Sequence, residues 1–260
     1  MKNNKIIIAL HKQYEVPAEQ MYLPVHVGAS SGKELGYQKD NEGKNISDKN
    51  PNFCELTGLY WAWKNLKADA IGLVHYRRYF GGKEKFFVNG KTKKILSAQE
   101  VEDKLANYQM ILPKKRNYYI ETLYNHYAHT MYVEPLDITG EILKEKYPEY
   151  VAEFENLKKR KSAHMFNMFI CSKDLMGKYC EWLFDILFEL EKRVDASQYD
   201  SFHARFFGRV SELLLDVYIN TNNITYTEQK LVNIEKVNWW KKGMSFLKAK
   251  FTGKKYGKSF

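Results

Sequence analysis

Short apolar runs separated by amphipathic stretches constrain this chain more than any other feature. KIIIAL (residues 5–10) is continuously apolar and rich in β-branched residues, the pattern of a strand buried on both faces. IGLVHY (71–76), YQMIL (108–112) and HMFNMFICS (164–172) read as further strands. Helical periods lie between them. Residues 52–67 repeat Leu56, Leu59, Tyr60 and Trp63 at three- and four-residue spacing. Residues 97–105 open on a capping box, Ser97 followed by Glu100. Residues 116–133 and 138–157 are helical in spacing, the latter interrupted by Pro148. Two long amphipathic helices, 174–194 and 202–219, follow. Asn89-Gly90 predicts a hairpin within 81–95. Strands alternating with helices predict an α/β fold with a mostly parallel central sheet and C-terminal amphipathic helices.

The chain has 260 residues, with 44% hydrophobic and 28% charged, so one large domain can bury its own core. Three cysteines without a CxxC pair argue against a disulfide scaffold or zinc ribbon and fit a reducing cytosol. No apolar run reaches 18 residues, and the N-terminal run is too short for a signal-peptide core. The net charge of +10 is uneven, because residues 236–260 carry eight Lys and no acid. Without them 33 basic residues face 31 acidic ones, which argues against a broad nucleic-acid-binding face. Domain boundaries are therefore expected at 1–235 for the body and 236–260 for the tail. Within that tail Trp240, Met244, Leu247 and Phe251 share a helical face opposite lysines, the pattern of a helix lying on an anionic membrane.

Five constellations carry chemistry. His75-Tyr76-Arg77-Arg78 ends an apolar strand, where open α/β sheets bind ligands. Paired guanidiniums suit a diphosphate, and strand alternation puts Arg77 and Arg78 on opposite sides, so that one meets the ligand. The loop holding Asp40, Asn45 and Ser47 suits a ribose or base edge, or is a surface turn. In Tyr124-x-His126-x-x-His129 the two histidines share a helix face but lack a third metal ligand, and Asp137 downstream is a candidate base or a helix cap. Asn167 sits inside an apolar run and needs a partner for its amide. Arg209 and Glu212, three apart on a helix, form an ion pair or belong to a site. No GxSxG, P-loop or GxGxxG occurs, and the cysteines sit in apolar surroundings.

The run NISDKNPNFCELTGLYWAWKN (45–65), then IGLVHYRRYF (71–80), resembles a bacterial family of capsular and exopolysaccharide glycosyltransferases long known as a domain of unknown function. YPEY (147–150), FNMFICSKDLMGKYCEWLFDIL (166–187), RFFGRVSEL (205–213) and the segment from Tyr124 to Asp137 extend the resemblance over residues 3–220. It implies a GT-A-like nucleotide-diphospho-sugar transferase sandwich. It also implies a UDP-hexose donor, galactose or galactofuranose first, and a lipid-diphosphate-linked oligosaccharide acceptor at the cytosolic membrane face. GT-A enzymes usually place an Asp-x-Asp metal motif at the end of the strand 71–75, where this chain has His-Tyr-Arg-Arg. Fixed cations in that place predict transfer without a metal cofactor. On this reading Asp137 first, or Glu212, takes the acceptor proton. His75 and Arg77 or Arg78 stabilise departing UDP; Asn45, Ser47 and Glu55 hold the nucleotide; Trp61 and Tyr124 cover sugar faces. A transferase of another UDP-hexose and a non-catalytic nucleotide-sugar binder are the alternatives.

Overall fold

The computed structural model describes residues 2–32 and 34–235, so the tail 236–260 and its expected membrane contact lie outside the described residues. The main sheet is built on β1 (Asn4–Leu10), β2 (Tyr22–His26), β3 (Gln38–Lys39) and β4 (Ala70–His75). The chain then forms the hairpin of β5 (Arg78–Val88) and β6 (Lys91–Ile95), followed by β7 (Met110–Pro113). A two-stranded ribbon pairs β8 (Arg116–Asn117) with β9 (Ser162–Ala163), and β10 (Phe169–Ser172), β11 (Tyr226–Gln229) and β12 (Leu231–Asn233) complete the strands. The central order is β11-β7-β10-β4-β1-β2-β3. β1, β2, β3 and β4 pair in parallel, as do β7 and β11, while β10 lies antiparallel between β4 and β7.

The apolar run of β1 explains its central place. Ile6, Ile8 and Leu10 point into one buried cluster and Ile7 and Ala9 into the other, so every side chain of the run leaves water. One face is covered by α1 (Asn50–Phe53), α2 (Leu56–Asn65), α4 (Leu123–Thr130), α5 (Glu134–Lys146), α6 (Val151–Lys159), α7 (Lys173–Arg193) and α8 (Phe206–Thr221). The other face is covered by the β5–β6 hairpin and α3 (Ala98–Leu105). The Asn89-Gly90 hairpin and the Ser97–Glu100 capping box are both present.

Three expectations are corrected, and two strands are added. The helix over 52–67 is two helices, broken at Cys54, whose φ of 54° is left-handed. The helix over 116–133 shrinks to α4, because β8 pairs with β9 and Tyr119 turns to φ 54°. The strand over 164–172 shortens to β10, because Phe166 (φ 79°) and Asn167 (φ 54°) turn the chain. β11 and β12 are strands that their polar sequence, TEQ within the first, did not announce.

Candidate active site

The parallel register brings the carboxyl ends of three strands together. Leu10 pairs with His26 and Ala9 with His75, so His11, His26 and His75 gather at one end of the sheet. His75 also pairs with Arg78 across the β4–β5 turn, which sends both side chains to one face. Arg77 is in the two-residue turn rather than in a strand, which corrects the expected strand alternation of the two arginines. Arg77 reaches Glu235 at 3.8 Å and lies 5.3 Å from the ring centroid of the buried Tyr76. Arg78 lies over the Phe166 ring at 4.5 Å, and its field is shared with Arg77, Glu212, Arg116 and Arg209.

Burial, then Arg77 and Arg78, push His75 down to about 3, so its ring is neutral at physiological pH. Burial, then Arg77, lowers His11 likewise. The charge at this end of the sheet therefore comes from guanidiniums.

α8 supplies the opposite wall. Burial raises the Glu212 carboxyl above its ordinary value, against Arg209, Arg116 and Arg78, which favour its charge, while Glu55 adds to the rise. Its Oε1 accepts from Arg209 at 3.3 Å, and its Oε2 is buried with no hydrogen-bond partner. Arg205, one turn earlier, donates Nε to Cys54 Sγ at 3.0 Å. Burial pushes the Cys54 thiol up to about 11, which leaves it un-ionised. Asn167 donates to Glu55 at 2.8 Å and to the Gly208 carbonyl at 3.1 Å; its Oδ1 is buried without a partner. Three left-handed non-glycine residues, Cys54, Phe166 and Asn167, thus touch Arg205, Arg78 and Glu55 in turn, and such strain concentrates at functional sites.

A third wall follows β8. Arg116 lies 4.9 Å from the centroid of Tyr118, whose ring meets His126 at 3.9 Å between centroids, tilted by 33°. His126 and His129 both bond the buried Glu121, at 3.3 and 2.9 Å. Burial, then Arg116, pushes His126 down to about 4, so this ring too is neutral.

The loop of Asp40, Asn45 and Ser47 lies beside His26 at the same end of the sheet, where the Asp40 N–H donates to the His26 carbonyl at 3.1 Å. Asp40 accepts from the backbones of Gly28 and Ala29 and from the hydroxyls of Ser47 and Thr57, so its oxygens are occupied within the loop. Gly28 fits there because its φ is 72° and a Cβ would lie 2.6 Å from Asn50. Asn45 likewise bonds its own loop, at the carbonyls of Asn41 and Gly43. Trp61 faces the helical core and is 5% exposed. Asp137 is not a helix cap; it is exposed in the first turn of α5, and the Tyr124 hydroxyl donates to it at 3.1 Å. No hydrogen bond or ion pair among the described residues joins Asp137 to His75, Arg77 or Arg78. A cleft of about 800 Å³ lies at the other end of the sheet, beside Asn4, Ala70 and Ser172, away from this cluster.

The sequence reading missed His11, His26, Arg116, Tyr118, Glu121 and Arg205. Applying the strand-end rule to every parallel strand, not to 71–75 alone, finds the two histidines. The arginines and Glu121 carry no local signal.

A family model described as "Domain of unknown function (DUF4422)" matches residues 5–223. The chain belongs to the DUF4422 family. No curated protein matches it. Among solved structures, this DUF4422 chain is similar to the apo structure of WbbM, a bifunctional glycosyltransferase, with TM-score 0.81 and 28% identity. The match covers 90% of this chain and 46% of that one, so the chain spans about half of WbbM's length. The DUF4422 fold here is GT-A-like, with the mixed sheet between unequal covering layers. Among the described residues, no group of three or more His, Cys, Asp or Glu is placed to hold a metal ion, and no helix is long and apolar enough to cross a membrane.

Proposed function

We propose that this chain is a glycosyltransferase. It moves a hexose, galactose or galactofuranose first, from a UDP-sugar to a lipid-diphosphate-linked oligosaccharide in capsule, exopolysaccharide or O-antigen synthesis. The observation that carries this is the set of guanidiniums at the sheet's carboxyl end, facing one unpartnered buried carboxylate oxygen on Glu212. The similarity to a bifunctional glycosyltransferase supports the reaction class.

The donor set at the end of β4 does not suit a divalent cation, which asks for oxygen ligands. Imidazole and guanidinium groups stand there instead, so the leaving diphosphate is neutralised by Arg78, with Arg205 and Arg209 beside it. Glu212 takes the proton of the acceptor hydroxyl, whose oxygen attacks the anomeric carbon. The bond from that carbon to the β-phosphate oxygen breaks, and UDP leaves with the electron pair. A carboxyl raised by burial is a better base near neutral pH than an exposed one. Glu212 therefore takes the role expected first of Asp137. The protein works at the cytosolic face of the plasma membrane, with segment 236–260 as a basic anchor.

The test is UDP release from a panel of UDP-hexoses, with EDTA or with Mn²⁺. Release from one donor, undiminished by EDTA, is expected. Release that needs Mn²⁺ refutes the role given to the arginines. Absence of both release and any UDP-induced rise in melting temperature refutes the nucleotide-sugar reading.

A further inference from the structure

The turn after β8 presents two apolar side chains to water. Tyr119 is 74% exposed and Ile120 59%. The turn is held in this form. The Ile120 N–H donates to the Tyr118 carbonyl at 2.6 Å, closing a γ-turn around Tyr119 at φ 54°. The Tyr119 N–H donates to Asn117 Oδ1 at 2.8 Å, and the Tyr118 N–H to the Lys161 carbonyl at 2.8 Å. A left-handed γ-turn at a tyrosine is strained, so this exposure is imposed by its anchors and not a relaxed loop end.

The surroundings are cationic. Lys114 and Lys115 precede the turn, and Lys159 and Lys161 flank it on the segment that pairs with β8; all four are exposed. The acids nearby are engaged: Glu121 with His126 and His129, Glu153 with Arg160, Glu155 with Lys158. An exposed aromatic–aliphatic pair flanked by exposed lysines, of which Lys115 also lies 5.8 Å from the Tyr226 ring centroid, matches the boundary of an anionic bilayer, where apolar side chains enter the acyl edge and lysines meet headgroup phosphates.

We infer that residues 114–120, with Lys159 and Lys161, form a membrane-docking surface for anionic phospholipid, separate from the tail. Tyr118, next to the docking pair, lies within the field of Arg209 and Glu212. Docking by Tyr119 and Ile120 thus turns the cleft toward the bilayer. The surface does not depend on the donor or on the reaction, so its failure and that of the proposed function are separable.

The experiment measures partition of the full chain into phosphatidylglycerol vesicles and into phosphatidylcholine vesicles. Preferential binding to the anionic vesicles is expected. Tyr119→Ser with Ile120→Ser lowers that partition about tenfold. Neutralising Lys114 and Lys115 to Gln lowers it roughly five-fold per lysine at low salt. UDP release in the absence of vesicles stays unchanged in both variants, which also shows that they fold. Equal partition of parent and Tyr119/Ile120 variant overturns the inference, as does a parent that ignores anionic vesicles. Unchanged partition with weakened transfer to a soluble glycan acceptor overturns it too, assigning Tyr119 to the acceptor sugar.

Discussion

Asn167 donates its side-chain amide to Glu55 at 2.8 Å while its own backbone is held at φ 54°. The strained residue ties the β9–β10 connection to the start of α2, and it fixes a carboxylate beside Glu212. Asn167→Gly keeps the left-handed backbone without strain but loses the amide. Its melting temperature is expected to stay near that of the parent while turnover falls at least tenfold. Asn167→Ala should in addition lose about 1 kcal/mol of stability. Parent-like turnover in the glycine variant removes Asn167 from the site.

Glu212 and Asp137 make opposite predictions. Glu212→Gln is expected to lower turnover by roughly 10²–10⁴-fold, the usual contribution of a general base. Asp137→Asn should change it by less than about three-fold, since Asp137 is exposed and bonded to Tyr124. The reverse ranking in steady-state rates would return the base to Asp137.

Arg78 and Arg77 also separate. Arg78 faces Glu212 and the arginines of α8 and β8, whereas Arg77 leans on Tyr76 and Glu235. Arg78→Ala should cost roughly 10²–10³-fold in turnover, as for loss of one charge-stabilising donor. Arg77→Ala should cost less than tenfold. A larger loss for Arg77→Ala contradicts the assignment of Arg78 to the diphosphate.

Acid should weaken the fold through two half-buried imidazoles. His75 is pushed down to about 3 and His126 to about 4, from an ordinary 6.5. The unfolded chain therefore binds protons that the folded chain refuses. Stability is full above pH 6.5 and falls as the pH drops toward these values. At pH 5.5 each histidine should cost about 1 kcal/mol. Denaturant midpoints of the parent and of His126→Gln, measured at pH 7.5 and 5.5, check this; an equal drop in both would show that His126 does not contribute.

His164 is fully buried between two carboxylates, with Nδ1 on Asp216 and Nε2 on Glu228 at 3.0 Å. It joins the segment after β9 to α8 and β11. His164→Leu takes the imidazole from Asp216, which keeps only the backbone N–H of residue 164 from this segment, and this should cost about 3–5 kcal/mol. For a domain of this size that lowers the melting temperature by roughly 6–20 °C. A shift under about 2 °C would mean that the network carries little stability.

Much of the framework was legible locally. β1 and β4 announced themselves because a strand buried on both faces must be apolar at every position. α7 and α8 announced themselves because helices covering one face must repeat at 3.6 residues. Asn89-Gly90 and Ser97–Glu100 are chemistry within four residues and held for that reason. The breaks at Cys54, Tyr119 and Phe166–Asn167 were not legible, since neighbours distant in sequence impose those left-handed backbones.

The sequence by itself determined an α/β chain with a cationic strand end at residues 75–78, because residue type and period alone decide which faces leave water. Only the tertiary structure decided which charges meet. Arg78 and Glu212 stand 134 positions apart, and His164 meets Asp216 across 52. No periodicity encodes such encounters. Strand register and the packing of α8 create them, and desolvation then turns an ordinary glutamate into a candidate base and the rings of His75 and His126 neutral.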